Sequence, residues 1–300
     1  MREALFYEKE ETDAVGRTCR KLRCILCPHA CLIPEGQTGL CGARRNAAGV
    51  LHAENYGRIS ALALDPVEKK PLRRFHPGRQ ILSAGSYGCN MRCAFCQNSD
   101  ISQIAPQTAG REPAAYGQTR FFSPEELLEA AASVPDNLGL AFTYNEPLTG
   151  IEYILDTAPL IREAGLKVVL VSNGLACREP LSALLPFVDA MNIDIKGFTP
   201  EFYRKLNGDL ETVKRSMAQC AAACHVEATC LIIPGENDGE SEMAGLSAWL
   251  ASISPAIPLH VTRFFPRHKM TDKAPTPPET LYRLAEIAKE RLEYVFVGNV

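Results

Sequence analysis

No run of apolar residues in this chain approaches the ~18 needed to cross a bilayer as a helix, which argues against a helical membrane protein. The opening, MREALFYEKEE, is charged where a secretory leader is apolar. Basic charge is not in excess either. Lys plus Arg number 32 against 35 Asp plus Glu, a net charge of −3, without the positive field of a protein whose main partner is nucleic acid. Internal repeats and low-complexity tracts are missing. A hydrophobic fraction of 46% with 22% charged residues speaks against disorder and fibrous architecture. The expectation is a cytoplasmic globular protein with neither a membrane nor a nucleic-acid partner.

What the chain does have is cysteine, twelve in 300 residues. In a reducing compartment a disulfide framework explains them poorly, which leaves metal ligation or redox chemistry. Their distribution agrees: eight precede residue 97, five from Cys19 to Cys41 and three from Cys89 to Cys96. Cys177, Cys220, Cys224 and Cys230 are dispersed and read as buried packing residues.

Residues 1–79 are dense in Cys, Gly, Pro and Arg, with short apolar pieces and no long helical period. That is the pattern of a small Cys-rich metal-binding module held by ligands more than by a core. Across residues 80–300, apolar strands alternate with amphipathic helices, which predicts βα units around a parallel sheet. Strands are expected over 81–84, 138–143, 167–172, 190–195, 226–233, 259–264 and 294–297. Ser123-Pro-Glu-Glu opens a helix with an N-cap, a first-turn proline and early acids. Further helices are expected over 150–164, 209–224, 241–252 and 278–291. The fold class is α/β, a partial (β/α)6-type TIM barrel with the N-terminal module appended, and its functional groups belong at strand C-terminal ends.

The sharpest motif follows the first barrel strand: Gly85-Ser-Tyr-Gly-Cys89-Asn-Met-Arg-Cys93-Ala-Phe95-Cys96-Gln-Asn98. Three thiolates in eight residues can wrap a [4Fe–4S] cubane, which usually takes four. The iron left over is open to a chelating ligand. Three structural cysteines, or part of a zinc site, is the weaker alternative, because no fourth Cys or His lies nearby.

The Cys-x3-Cys-x-aromatic-Cys loop resembles that of the radical S-adenosylmethionine (SAM) superfamily. The resemblance implies that the open iron is chelated by the amino and carboxylate groups of SAM. One-electron reduction then cleaves the sulfonium to a 5′-deoxyadenosyl radical that abstracts hydrogen from substrate. Later segments match in order. Tyr144-Asn145-Glu146-Pro147 stands at the family's Gly-Gly-Glu-Pro stretch, which binds the SAM amino group, with Asn145 departing from glycine. Ser172-Asn173-Gly174 resembles the Ser/Thr-Asn-Gly turn. Asp194-Ile195-Lys196 resembles the Asp-Leu-Lys of glycyl-radical-enzyme activases, whose polar residues address the ribose and carboxylate. His268 stands in a segment that contributes a histidine beside the adenosyl group. The resemblance thus implies Cys89, Cys93 and Cys96 as catalytic ligands. It implies SAM contacts at Phe95, Tyr144, Asn145, Glu146, Ser172, Asn173, Asp194, Lys196 and His268. The reductant it implies is an electron donor such as flavodoxin or ferredoxin.

In the first module, Cys24-Ile-Leu-Cys27-Pro-His-Ala-Cys31 and Cys41-Gly42 offer four thiolates. Four ligands close a site, either tetrahedral zinc or a second [4Fe–4S] cluster. This knuckle, the stretch from Tyr56-Gly-Arg-Ile to Pro77-Gly78, and Cys96-Gln-Asn98 resemble one subgroup, the radical SAM enzyme of the AmmeMemoRadiSam system. The subgroup is close to pyruvate formate-lyase activating enzymes. It implies a protein substrate or a Memo-like partner; a glycyl radical enzyme activase is the competing function. A non-catalytic iron–sulfur or zinc protein that docks a partner is the alternative from another class. The basic run Lys69, Lys70, Arg73, Arg74, His76 and Arg79 could hold an anionic substrate or the reductant, but a solvated face is the more common meaning of such a run and the preferred reading.

Overall fold

The computed structural model describes residues 2–12, 18–105 and 118–300. Seven parallel strands form its centre: Gln80–Gly85, Gly139–Phe142, Lys167–Ser172, Ala190–Asp194, His225–Ile232, Leu259–Arg263 and Val295–Gly298. They pair in sequence order, with Leu140 opposite Leu82 and Ala141 opposite Val169. Helices Pro124–Ala132, Ile151–Glu163, Arg178–Leu184, Leu210–Ala221, Glu240–Ile253 and Pro278–Lys289 return the chain between them. Among the described residues the last strand does not pair back to the first, so the barrel is open. An eighth strand, Ala61–Pro66, runs antiparallel beside Gln80–Gly85 and completes one edge. The division expected after residue 79 falls inside this strand pair.

Local chemistry accounts for the elements. At Ser123 the side-chain hydroxyl accepts from Glu126 N at 3.2 Å while Glu126 Oε2 accepts from Ser123 N at 2.7 Å, a reciprocal cap before Pro124. The period of two sorts the strands. Met191 and Ile193 point outward into the helix-covered core, while Asn192 meets Thr229 Oγ1 at 3.0 Å on the inner side. Two short helices, Arg178–Leu184 and Pro200–Lys205, were not anticipated.

The N-terminal residues form two three-stranded antiparallel sheets. Leu22, Leu26, Ile33 and Leu51 are buried in the same cluster as Leu140 and Ile193. Contacts with the barrel therefore share in holding the module.

The basic run crosses the barrel floor, and Lys69, Arg73, Arg74, His76 and Arg79 are exposed, as a solvated face requires. Lys70 departs from it: it is 3% exposed and pairs with Asp65 at 2.8 Å. The backbone amides of Arg73 and Arg74 donate to the two oxygens of Glu227 at 3.0 and 2.7 Å. Glu227 is wholly buried and also meets His260 at 2.6 Å and His225 at 3.0 Å. Burial alone would raise its carboxyl, but these donors bring it from 4.5 down to about 2. The stability this adds is complete above 4.5 and is lost as pH falls through about 2. Glu227→Ala removes the acceptor from four groups and is expected to cost about 3–5 kcal/mol, read by denaturant unfolding at neutral pH. The difference from the parent should shrink toward pH 2.

Candidate functional site at the barrel mouth

The cluster loop leaves the first strand at Gly85, where the Tyr144 ring lies so close that a Cβ would sit 2.7 Å from it. Asn145 then clasps the loop: its Oδ1 accepts from Ser86 N at 2.9 Å and its Nδ2 donates to Gly88 O at 3.0 Å. Gly88 has a φ of +91°, a region that favours glycine. Asn98 Nδ2 donates to Tyr144 O at 2.7 Å and fastens the far end. Cys89, Cys93 and Cys96 are brought together by this turn, close enough that each sulfur's charge bears on Cys89. Burial pushes the Cys89 thiol well up, with the Glu146 carboxylate adding to it. Burial likewise raises Cys93 to about 11, partly offset by Lys196.

Glu146 is the deepest charged group beside them, at 3% exposure. Its Oε1 accepts from Ser172 Oγ at 2.8 Å and Leu148 N at 3.1 Å, and its Oε2 from Asn173 N at 2.8 Å. Burial pushes this carboxyl up to about 7 despite those three donors. All three are neutral, and among the described residues no Lys or Arg pairs with Glu146. Asn173 extends the link by donating from Nδ2 to Asn90 Oδ1 at 2.9 Å and toward Cys89 Sγ at 3.7 Å.

Asp194 and Lys196 end the fourth strand as an ion pair at 2.5 Å. Burial would lower the Lys196 ammonium, but Asp194 and the sulfurs of Cys93 and Cys96 hold it above its ordinary value. Phe95 is buried, its ring parallel to Phe202 with centroids 6.4 Å apart. Tyr144 points down the barrel, its hydroxyl donating to Asp65 at 2.8 Å and its ring 4.6 Å from Lys70 Nζ. His268 is exposed, but Lys269 N donates to Ala94 O at 2.8 Å and seats that turn on the cluster loop.

On the other side of the loop, Cys24, Cys27, Cys31 and Cys41 line one pocket. Among the described residues, no three Cys, His, Asp or Glu side chains close on a point as ligands of a single ion would. Of the dispersed cysteines, Cys220 and Cys230 are buried, whereas Cys177 and Cys224 are half-buried. The sequence reading missed Arg92, which donates to the carbonyls of Cys89, Leu40 and Ile104. It also missed Asn90 and Arg44, both on the N-terminal pocket wall. Adjacency to Cys89 and Cys41 was the only sequence signal for the last two.

An uncharacterized protein of Methanocaldococcus jannaschii is 41% identical over 307 residues, covering 100% of this chain and 86% of that one. The pyruvate formate-lyase-activating enzyme of Listeria monocytogenes is 26% identical over 125 residues, 40% of this chain and 48% of that enzyme. A radical SAM methyltransferase from Sphaerobacter thermophilus has a TM-score of 0.56 at 14% identity, over 75% of this chain and 67% of that one, a likeness of fold. The family model of the radical SAM superfamily matches residues 84–246, more than half of the chain. The chain belongs to the radical SAM superfamily.

Proposed function

We propose that this is a radical SAM enzyme in which Cys89, Cys93 and Cys96 hold a [4Fe–4S] cluster and Glu146 holds the amino end of SAM. The observation that carries the reading is the buried Glu146 carboxylate, cradled by neutral donors beside Cys89 with no basic partner among the described residues. A buried anion in that state fits a ligand that brings its own polar N–H groups. Three thiols at the end of the first strand are the donor set of a cubane with one iron left open. With the cluster reduced by one electron, the bound pair supplies homolytic cleavage of the SAM sulfonium and a radical that takes hydrogen from substrate.

The chain's own residues do the rest. Ser172 and the Asn173 amide fix the Glu146 carboxylate so that it accepts without reorganising. Asn173 keeps an N–H directed at Cys89. Lys196 sets positive charge beside Cys93 and Cys96 and so offsets thiolate charge, while Asp194 presents a carboxylate for hydroxyl groups. Phe95 stiffens the loop by packing on Phe202, and Asn145 acts through the loop it clasps. The His268 turn, tied to Ala94, stands ready to flank the nucleoside end.

The substrate reading is a protein-modifying or small-molecule reaction in the AmmeMemoRadiSam system, supported by the Cys24–Cys41 knuckle and the 56–78 stretch. A glycyl radical enzyme activase is the second reading, favoured by the Listeria match. Anaerobically reconstituted protein with dithionite should convert SAM to 5′-deoxyadenosine and methionine, followed by chromatography. No nucleoside product from protein with a full cluster would sink the enzyme reading. A glycyl radical signal appearing in pyruvate formate-lyase, and none with a Memo-like protein as substrate, would select the second reading.

A further inference from the structure

The four N-terminal cysteines line one pocket. Cys24 ends the strand Thr18–Cys24, and its amide donates to Cys31 O at 3.0 Å, closing the loop that carries Cys27. Cys41 comes from a separate turn, where Gly42 N donates to Gly39 O at 3.0 Å. Four thiols facing one space make a closed donor set with no position left for a substrate.

A second observation points to what fills the space. Arg44 lines the same pocket and is 1% exposed. Its Nη1 donates to the buried Glu152 at 2.7 Å, while Nε and Nη2 have no partner. Buried donors are seldom left without an acceptor. Metal-bound thiolates and the sulfides of a cluster are acceptors, and together they carry the net negative charge a guanidinium compensates. Arg44 already bears on Cys24 and Cys41, opposing the burial that raises both thiols.

Both zinc and a [4Fe–4S] cluster take four thiolates, but zinc has no redox chemistry, and the neighbouring site favours the centre that has.

The pocket also abuts the other site. Asn90, next to Cys89, lines it, and Asn90 O lies 2.7 Å from the His29 ring. A Cβ on Gly88 would sit 2.8 Å from Cys41 O. Thr149, another wall residue, donates to Glu146 O at 2.8 Å.

We propose that Cys24, Cys27, Cys31 and Cys41 hold a [4Fe–4S] cluster, with Arg44 donating to its sulfurs, and that this cluster passes single electrons to the site at Cys89, Cys93 and Cys96. The second half, and the choice of iron–sulfur over zinc, rest on the function proposed above; the four-thiol site does not. An electron enters from a low-potential donor of the flavodoxin or ferredoxin class and reduces the N-terminal cluster. Transfer to the second cluster leaves the first oxidised again, and no bond forms or breaks.

The test uses the full chain without oxygen. In Cys89→Ala/Cys93→Ala/Cys96→Ala the N-terminal ligands are untouched, and reconstitution should leave about four irons per chain with a reduced-state paramagnetic signal that SAM does not alter. One zinc and no iron, or no metal, overturns the proposal. In Cys27→Ala/Cys31→Ala the other cluster remains, and its signal should shift when SAM is added. If it does not shift while the first variant still holds iron, the SAM-site reading and the relay fail, and the N-terminal cluster stands. In the second variant the ratio of flavodoxin-driven to dithionite-driven SAM cleavage should fall about tenfold or more. An unchanged ratio overturns the relay. Arg44→Gln should move the N-terminal potential to more negative values, and an unmoved potential removes Arg44 from the site.

Discussion

Cys93→Ala should abolish 5′-deoxyadenosine formation, a loss of ~10³-fold or more, because the loop has no spare thiol to take its place. Cys89 and Cys96 flank it in the same turn, and the N-terminal thiols lie on the far side of the loop. A cubane held by two cysteines is not retained. The folded state should barely change, since the substitution removes one sulfur from a small, tightly turned loop anchored elsewhere by Asn145, Asn98 and Arg92. Cys220→Ala is the opposing control. Its thiol is wholly buried, 3.5 Å from the Met191 sulfur in the outer core. Removing it should cost on the order of 1 kcal/mol of stability and leave cleavage alone. Product in the Cys93→Ala protein at parental rates would refute the cluster assignment.

The contrast between those two cysteines also marks what sequence carried. Cysteine spacing exposed the cluster loop because ligands for one centre on one turn must be close in sequence. Strand periodicity exposed the barrel for a similar reason: Met191 and Ile193 go outward and Asn192 inward, and that alternation is local. The Ser123 cap was legible too, since all its partners lie within three residues. Burial of charge was not legible. Lys70 looks like one member of a basic surface run, yet Asp65 and the Tyr144 ring take it inside. Arg44 meets Glu152 from 108 residues away, and no local pattern announces such a pair. Asn145 stood out as a departure from glycine, and only its contacts with Ser86 and Gly88 explain it. Short apolar pieces with no long helical period make the module around Cys24 read as held by ligands more than by a core, and its burial against barrel residues is a long-range contact that no local pattern carries.

Glu146→Gln should weaken SAM binding about 10- to 100-fold, the factor equivalent to losing a hydrogen bond to a charged acceptor worth roughly 1.5–3 kcal/mol. The geometry makes the loss specific. Glu146 Oε1 can keep Leu148 N and Ser172 Oγ as donors after substitution, but the new Nε2 would face the Asn173 N–H that Oε2 accepts now. The pH profile separates this electrostatic role from a packing defect. With the folded carboxyl at about 7, above its ordinary 4.5, the proton competes with SAM below pH 7. Parental affinity should therefore rise with pH up to about 7 by as much as tenfold per unit, with a proton released on binding below that point. The SAM amino group titrates identically for both proteins, so the parent-to-variant ratio isolates Glu146. That ratio should grow from near unity at pH 5 to its full value by pH 8, measured by calorimetry on cluster-loaded protein. A ratio constant across that range would mean that the carboxylate does not meet the ligand.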